Sequence, residues 1–147
     1  MKSETNSVIC SNPLSIENQI MKSKSKIHFL ETDTNLPEIL FITSCTPREC
    51  GIATYSEDLI KALGKKFNHS FKIEICPVES DNVKHQYSNK IKYLLDTDKE
   101  EEFEKLAEKI NSNNAIQIVM IQHEFGLFKN NELAFTQFLE SITKPIA

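Results

Sequence analysis

A layered α/β fold built on a parallel sheet is what this 147-residue sequence predicts, and three features predict it. Short apolar runs of strand length, such as Ile39 to Thr43 and Ile116 to Ile121, lie far apart in the chain. Between them stand longer segments whose apolar side chains recur at helical spacing. The connections are long enough for helical crossovers rather than hairpins, and such crossovers join parallel neighbours.

The elements follow in order. Residues 1 to 36 are rich in Ser, Asn, Thr and Lys, and only Ile27 to Leu30 makes an apolar patch, so this stretch reads as a poorly ordered leader. The domain then occupies residues 37 to 147. Ile39-Leu40-Phe41-Ile42-Thr43, following Pro37, suits a strand buried on both faces. Ser44 to Ala53 is a loop holding Pro47 and Gly51. Thr54 with Glu57 has the spacing of a capping box, and Tyr55, Leu59, Ile60, Leu63 and Phe67 form the stripe of a first helix that ends at Asn68-His69. Phe71 to Cys76 alternates and meets Pro77, which predicts a second strand nearer an edge.

A polar loop spans Glu79 to Asn89, and Lys90 to Leu95 is a third strand. Thr97 and Glu100 repeat the capping-box spacing ahead of Phe103, Leu106, Ala107 and Ile110. The Glu100-Glu101-Glu102 run suits the positive end of that helix and reads as a solvated face. Asn111 to Asn114 is a turn, Ile116 to Ile121 a fourth strand, and Gln122 to Asn131 a loop. A last helix carries Leu133, Phe135, Phe138, Leu139 and Ile142, and Pro145-Ile146-Ala147 looks like the opening of a fifth strand.

Composition excludes several functions. With 17 basic and 21 acidic side chains the chain lacks the basic balance of a nonspecific nucleic-acid binder. Only Gly51, Gly64 and Gly126 are glycine, too scattered for a G-x-G-x-x-G fingerprint. Leu59 stands where a phosphate loop ending in Gly64-Lys65 needs glycine. Cys10, Cys45, Cys50 and Cys76 form no C-x-x-C pair and no zinc-finger spacing, so neither a metal nor a cofactor is expected. Nothing resembles a signal peptide or a transmembrane segment, which predicts a cytoplasmic protein with reduced thiols.

If the sheet is doubly wound, strands one and four are neighbours at the switch point, where ligands bind beyond the strands' carboxyl ends. The loops there are Ser44 to Ala53 and Gln122 to Asn131. In the first, Gly51 lets backbone approach a ligand near a helix start, and Arg48 is a donor fork suited to phosphate or carboxylate. The competing reading has Gly51 serving only the turn and Arg48 pairing with Glu49. In the second, Gln122, His123 and Glu124 can hydrogen-bond sugar hydroxyls, and His123 can shuttle a proton. A zinc-protease reading of His123-Glu124 fails because position 127 is Leu.

Two motifs carry a resemblance. Ile39 to Ile42 running into Pro47-Arg48-Glu49-Cys50-Gly51-Ile52-Ala53-Thr54-Tyr55 resembles the opening strand and loop of a branch of the group 1 glycosyltransferases. Gln122-His123-Glu124-Phe125-Gly126-Leu127-Phe128 resembles that branch's motif after its fourth strand. The resemblance implies the amino-terminal Rossmann-like three-layer domain of a two-domain GT-B enzyme. Such an enzyme transfers a sugar from a nucleotide-sugar donor to a sugar or glycan acceptor with retention. It further implies that Gly51 approaches the donor diphosphate, that Arg48, Glu49 and Thr54 shape that loop, and that Gln122, His123, Glu124 and Gly126 contact sugar or acceptor. His123 is the catalytic candidate.

The family's second domain, with its E-x7-E motif, is not in this sequence, and Ala147 falls within the predicted fifth strand. The expectation is therefore a fragment that is inactive alone. Lys129-Asn130 departs from the glycine usual in the branch. Two other readings stand beside it: a stand-alone, non-catalytic module binding a phosphorylated metabolite or sugar, and a structural remnant without ligand.

Overall fold

The computed structural model describes residues 36–68, 70–81, 83–87, 91–123 and 126–147. The leader before residue 36, His69, Lys90, Glu124 and Phe125, all used above, lie outside the described residues.

Four strands form one parallel sheet: β1 (Glu38–Thr43), β2 (Lys72–Glu79), β3 (Leu95–Asp96) and β4 (Ile116–Ile121). Three helices connect them: α1 (Gly51–Lys66), α2 (Glu100–Ser112) and α3 (Glu132–Ser141). The strand order is β3-β2-β1-β4, and every pairing is parallel. This is an α/β, Rossmann-like three-layer domain. The chain winds outward from β1 to β3, then crosses back so that β4 pairs with the other edge of β1. That reversal is the switch point. Beyond β4, Ile146 bridges Val119 in parallel, with Val119 N–H bonded to Pro145 O at 2.9 Å.

Alternation along β1 divides its side chains between two faces. Leu40 and Ile42 join Cys76, Val78 and Val119 against Phe103, Leu106 and Ile110 of α2 and Ala134 and Phe138 of α3. Phe103 is the hub of this layer, with ring centroids 5.9 Å from Phe138, 6.3 Å from Phe128 and 6.5 Å from Phe135. Thr43 faces the other way, to α1, where Ala53 and Ser56 are buried. The apolar stripe expected on α1 is only partly covered: Tyr55 and Phe67 are exposed. Phe67 packs beyond the helix end on Phe71, with ring centroids 5.4 Å apart.

Several sequence-based boundaries move. α1 begins at Gly51, three residues ahead of the expected cap, with Cys50 as an N-cap that contributes no side-chain bond. Thr54 is exposed inside the first turn, and Glu57 accepts instead from the Thr46 hydroxyl. The second capping box is also absent. α2 starts at Glu100 after Lys99, while the Thr97 hydroxyl donates to Glu79 O at 3.0 Å. In both cases a tertiary partner wins the side chain from the local cap.

At the other end of α1, Asn68 takes a φ of 50° and turns the chain out, a conformation asparagine tolerates well. Of the expected third strand Leu95 alone falls in the ladder, β3 being Leu95–Asp96, while Lys92 N–H also bonds Ile75 O of β2 at 2.8 Å. β2 lies between β1 and the two-residue β3, nearer the edge than β1, as its alternation suggested. Its Glu74 is buried with Glu38 beside Lys72 and Lys92, which pair with both carboxylates. The polar positions there mark a buried charge network, not a wet face.

Candidate site at the carboxyl end of the sheet

β1 and β4 end side by side, so the loops that follow them flank one crevice. Gln122 N–H donates to Ile42 O at 3.0 Å, continuing the ladder to the crevice edge. Its carboxamide oxygen lies within hydrogen-bond reach of the Thr43 hydroxyl, at 3.0 Å, and of the Ser56 hydroxyl, and the two hydroxyl oxygens lie 2.6 Å apart. This polar knot joins β1, α1 and β4 at one point. Neither Thr43 nor Ser56 stood out in the sequence, because each is an unremarkable hydroxyl until the topology brings them together.

Gly51 opens α1, is exposed, and a Cβ built there would meet nothing within 4 Å. Packing within the chain therefore does not demand glycine at that position, and the space before the helix start is open. Glu49 is exposed, and the Thr46-Pro47 peptide is cis. Arg48 does not turn to Glu49; its Nη1 donates to Ser80 Oγ at 3.2 Å, toward the end of β2. The loop-shaping group is thus split, with Arg48 on the β2 side and Gly51 at the helix start.

The second group is split too. Gln122 faces α1, whereas His123 lies over the aromatic layer of the opposite face. Its ring stacks on Phe128 at 5.5 Å and lies 5.7 Å from Phe135, and those two phenyl rings stack at 3.9 Å. Alternation beyond a strand end accounts for this separation of neighbours. Gly126, exposed, has a φ of 100°, a conformation that side chains rarely adopt, so glycine is required by the turn itself.

A cluster that the sequence reading passed over lies where β2 ends. Glu79 is 1% exposed and accepts from His85 N–H at 2.8 Å and the Tyr87 hydroxyl at 3.3 Å. Lys84 Nζ lies 3.2 Å from its other oxygen and 2.6 Å from Asp96. Burial, followed by the negative charge of Glu79, pushes the Tyr87 phenol well above its ordinary range. Cys45 is pushed up to about 11, by burial first and by Glu57 second. The buried thiol of Cys76 is raised further, again chiefly by burial. The only signal in the sequence was an acid directly after an apolar strand, with His and Tyr two residues apart downstream.

Cys45, Cys50 and Cys76 are free thiols. Among the described residues no group of three or more His, Cys, Asp or Glu side chains is placed to hold a metal. No helix among them is long and apolar enough to cross a membrane. Two open grooves, of 530 and 470 Å³, lie away from the crevice. The larger runs between α2 and α3 with Glu100, Glu101 and Glu104 on its rim, over a floor of Phe103 and Phe138 already buried in the core. Size alone does not make it the site, because its polar lining, Gln137 and Ser141 beside three glutamates, is acidic and repels a phosphate. No family model, no curated protein and no solved structure matches the chain.

Proposed function

We propose that the chain is the acceptor-side half of a two-domain GT-B glycosyltransferase that moves a sugar from a nucleotide-sugar donor to a sugar or glycan acceptor with retention. The observation that supports this best is the pairing of β1 with β4. It brings the Pro47–Tyr55 motif and the Gln122–Phe128 motif to the same end of the sheet, as the resemblance in those two motifs requires. The open space at Gly51 adds to it: a helix start without a side-chain cap or a neighbour in front can receive a diphosphate.

In this reading the first-turn amides of α1 stabilise charge as it develops on the leaving diphosphate. Gln122 and Arg48 bind sugar or acceptor oxygens from the two sides of the β1 loop. His123, held by Phe128 and Phe135, reaches the transferred sugar only from the far side of the crevice. Most donor contacts belong to the second domain, so this chain alone turns over no nucleotide sugar, and the working enzyme is cytoplasmic.

Reading the coding frame past Ala147 tests the proposal. A following α/β domain with E-x7-E supports it, and a following sequence of any other kind refutes it. Saturable binding of a sugar phosphate by the 147-residue chain, abolished by Arg48→Ala or Gly51→Val, together with such a frame, would establish the stand-alone module instead.

A further inference from the structure

The knot at the end of β1 bears on the orientation of one polar group at the crevice. Thr43 and Ser56 are both fully buried, and each hydroxyl carries a single proton. Their oxygens are 2.6 Å apart, a separation at which one of the two protons must lie between them. The other proton has three acceptors in reach, the Gln122 carboxamide oxygen, Ile52 O and Ser44 O, and the near carboxamide atom lies within bonding reach of both hydroxyls. An atom that receives a proton there is an oxygen. The amide nitrogen is then turned away, and it makes no hydrogen bond among the described residues.

We propose that Thr43 and Ser56 are positioning residues that lock the Gln122 carboxamide with its oxygen inward and both amide hydrogens free for an acceptor oxygen on a ligand in the crevice. The proposal uses the glycosyltransferase reading only to name such an oxygen, a sugar hydroxyl or a phosphate. The lock itself follows from β1, α1 and β4 meeting at Gln122. The opposite orientation sends the nitrogen inward to donate to the hydroxyl oxygens, and the proton not shared between them goes to Ile52 O at 2.7 Å or Ser44 O at 3.1 Å. It leaves an outward oxygen that would select donors instead. Which atom is oxygen is settled by its hydrogen-bond partners, and NMR reads those partners directly.

The experiment uses the 15N-labelled 147-residue chain, with the Gln122 side-chain NH2 pair assigned by its loss in Gln122→Glu. The expected result is an NH2 pair that exchanges with water like free glutamine, shows no NOE to the Thr43 methyl, and is ordered. Thr43→Val and Ser56→Ala should each shift the pair and drop its order parameter below about 0.6, the flexible range. Thr43→Ser, which keeps the hydroxyl, should restore the native signal. Exchange slowed about tenfold or more, with NOEs to the Thr43 methyl, overturns the proposal on the unmutated chain, whether or not any variant folds. An order parameter unchanged in both hydroxyl-deleted variants overturns it as well. Neither outcome bears on whether a second domain follows this chain, so the two proposals fail separately.

Discussion

Replacing Glu79 measures what holds the β2–β3 connection against the sheet. The carboxylate is 1% exposed and is the acceptor for His85 N–H at 2.8 Å and for the Tyr87 hydroxyl. Glu79→Ala leaves that backbone donor without a partner, at about 1–3 kcal/mol. It also removes one buried methylene, about 0.8 kcal/mol. Lys84 adds little, being more than half exposed and already bonded to Asp96. Relief of the buried charge offsets part of the loss. The expected net destabilisation is about 2 kcal/mol. Glu79→Gln keeps one carbonyl acceptor and should cost about 1 kcal/mol.

Urea unfolding followed by circular dichroism gives the comparison. At a slope of about 1.5 kcal/mol per molar, the alanine variant should lower the midpoint by about 1.3 M. Hydrogen exchange should show the His85 amide losing its protection in the same variant. A shift below about 0.5 kcal/mol for Glu79→Ala, the range of neutral surface substitutions, would refute the anchoring role. Equal damage from Gln and Ala would show that the charge, and not the acceptor, is what the loop needs.

Three further outcomes are expected. Phe103→Ala empties the hub of the aromatic layer and should cost about 3–5 kcal/mol in the same urea assay, with an unchanged strand signal at low denaturant. At Asp96 burial raises the carboxyl pKa, but hydrogen bonds from Lys84, Lys99 and the Asp98 amide outweigh it and hold it below the usual aspartate value. Its stabilisation is therefore present above about pH 4 and lost as pH falls through the lower, folded value, so Asp96→Asn should flatten the acid limb of stability against pH. With its pKa at about 11, Cys45 should react at pH 8 with a disulfide reagent about tenfold more slowly than a free thiol, after its thiolate's greater nucleophilicity is counted. Rates on Cys50→Ser and Cys50→Ser/Cys45→Ser chains isolate the Cys45 signal.

The sheet was legible in the sequence because its information is local. Ile39 to Thr43 and Ile116 to Ile121 are apolar beyond what a half-exposed strand would carry, and they became the central and neighbouring strands. The helical stripe of α2 reads the same way, since Phe103, Leu106, Ala107 and Ile110 all reach the core. What stayed hidden depends on partners distant in sequence. Thr97 caps nothing because Glu79 O claims its hydroxyl, and Arg48 is drawn to Ser80 across the sheet end. Gln122 and His123 read as one polar pair, yet the alternation of the backbone sends them to opposite faces. The lysines that neutralise the buried Glu74 likewise cannot be paired from sequence alone.

The most direct test of the account is a map of the crevice in solution. The 15N-labelled chain is titrated to millimolar concentrations with UDP-glucose, GDP-mannose and methyl α-D-glucoside while backbone and Gln122 side-chain amides are followed. The account predicts weak, fast-exchange shifts confined to residues 48–54 and to Gln122, His123 and Gly126, with the Gln122 NH2 pair among the largest. Shifts centred on the groove between α2 and α3, or none with any of the three compounds, would contradict it.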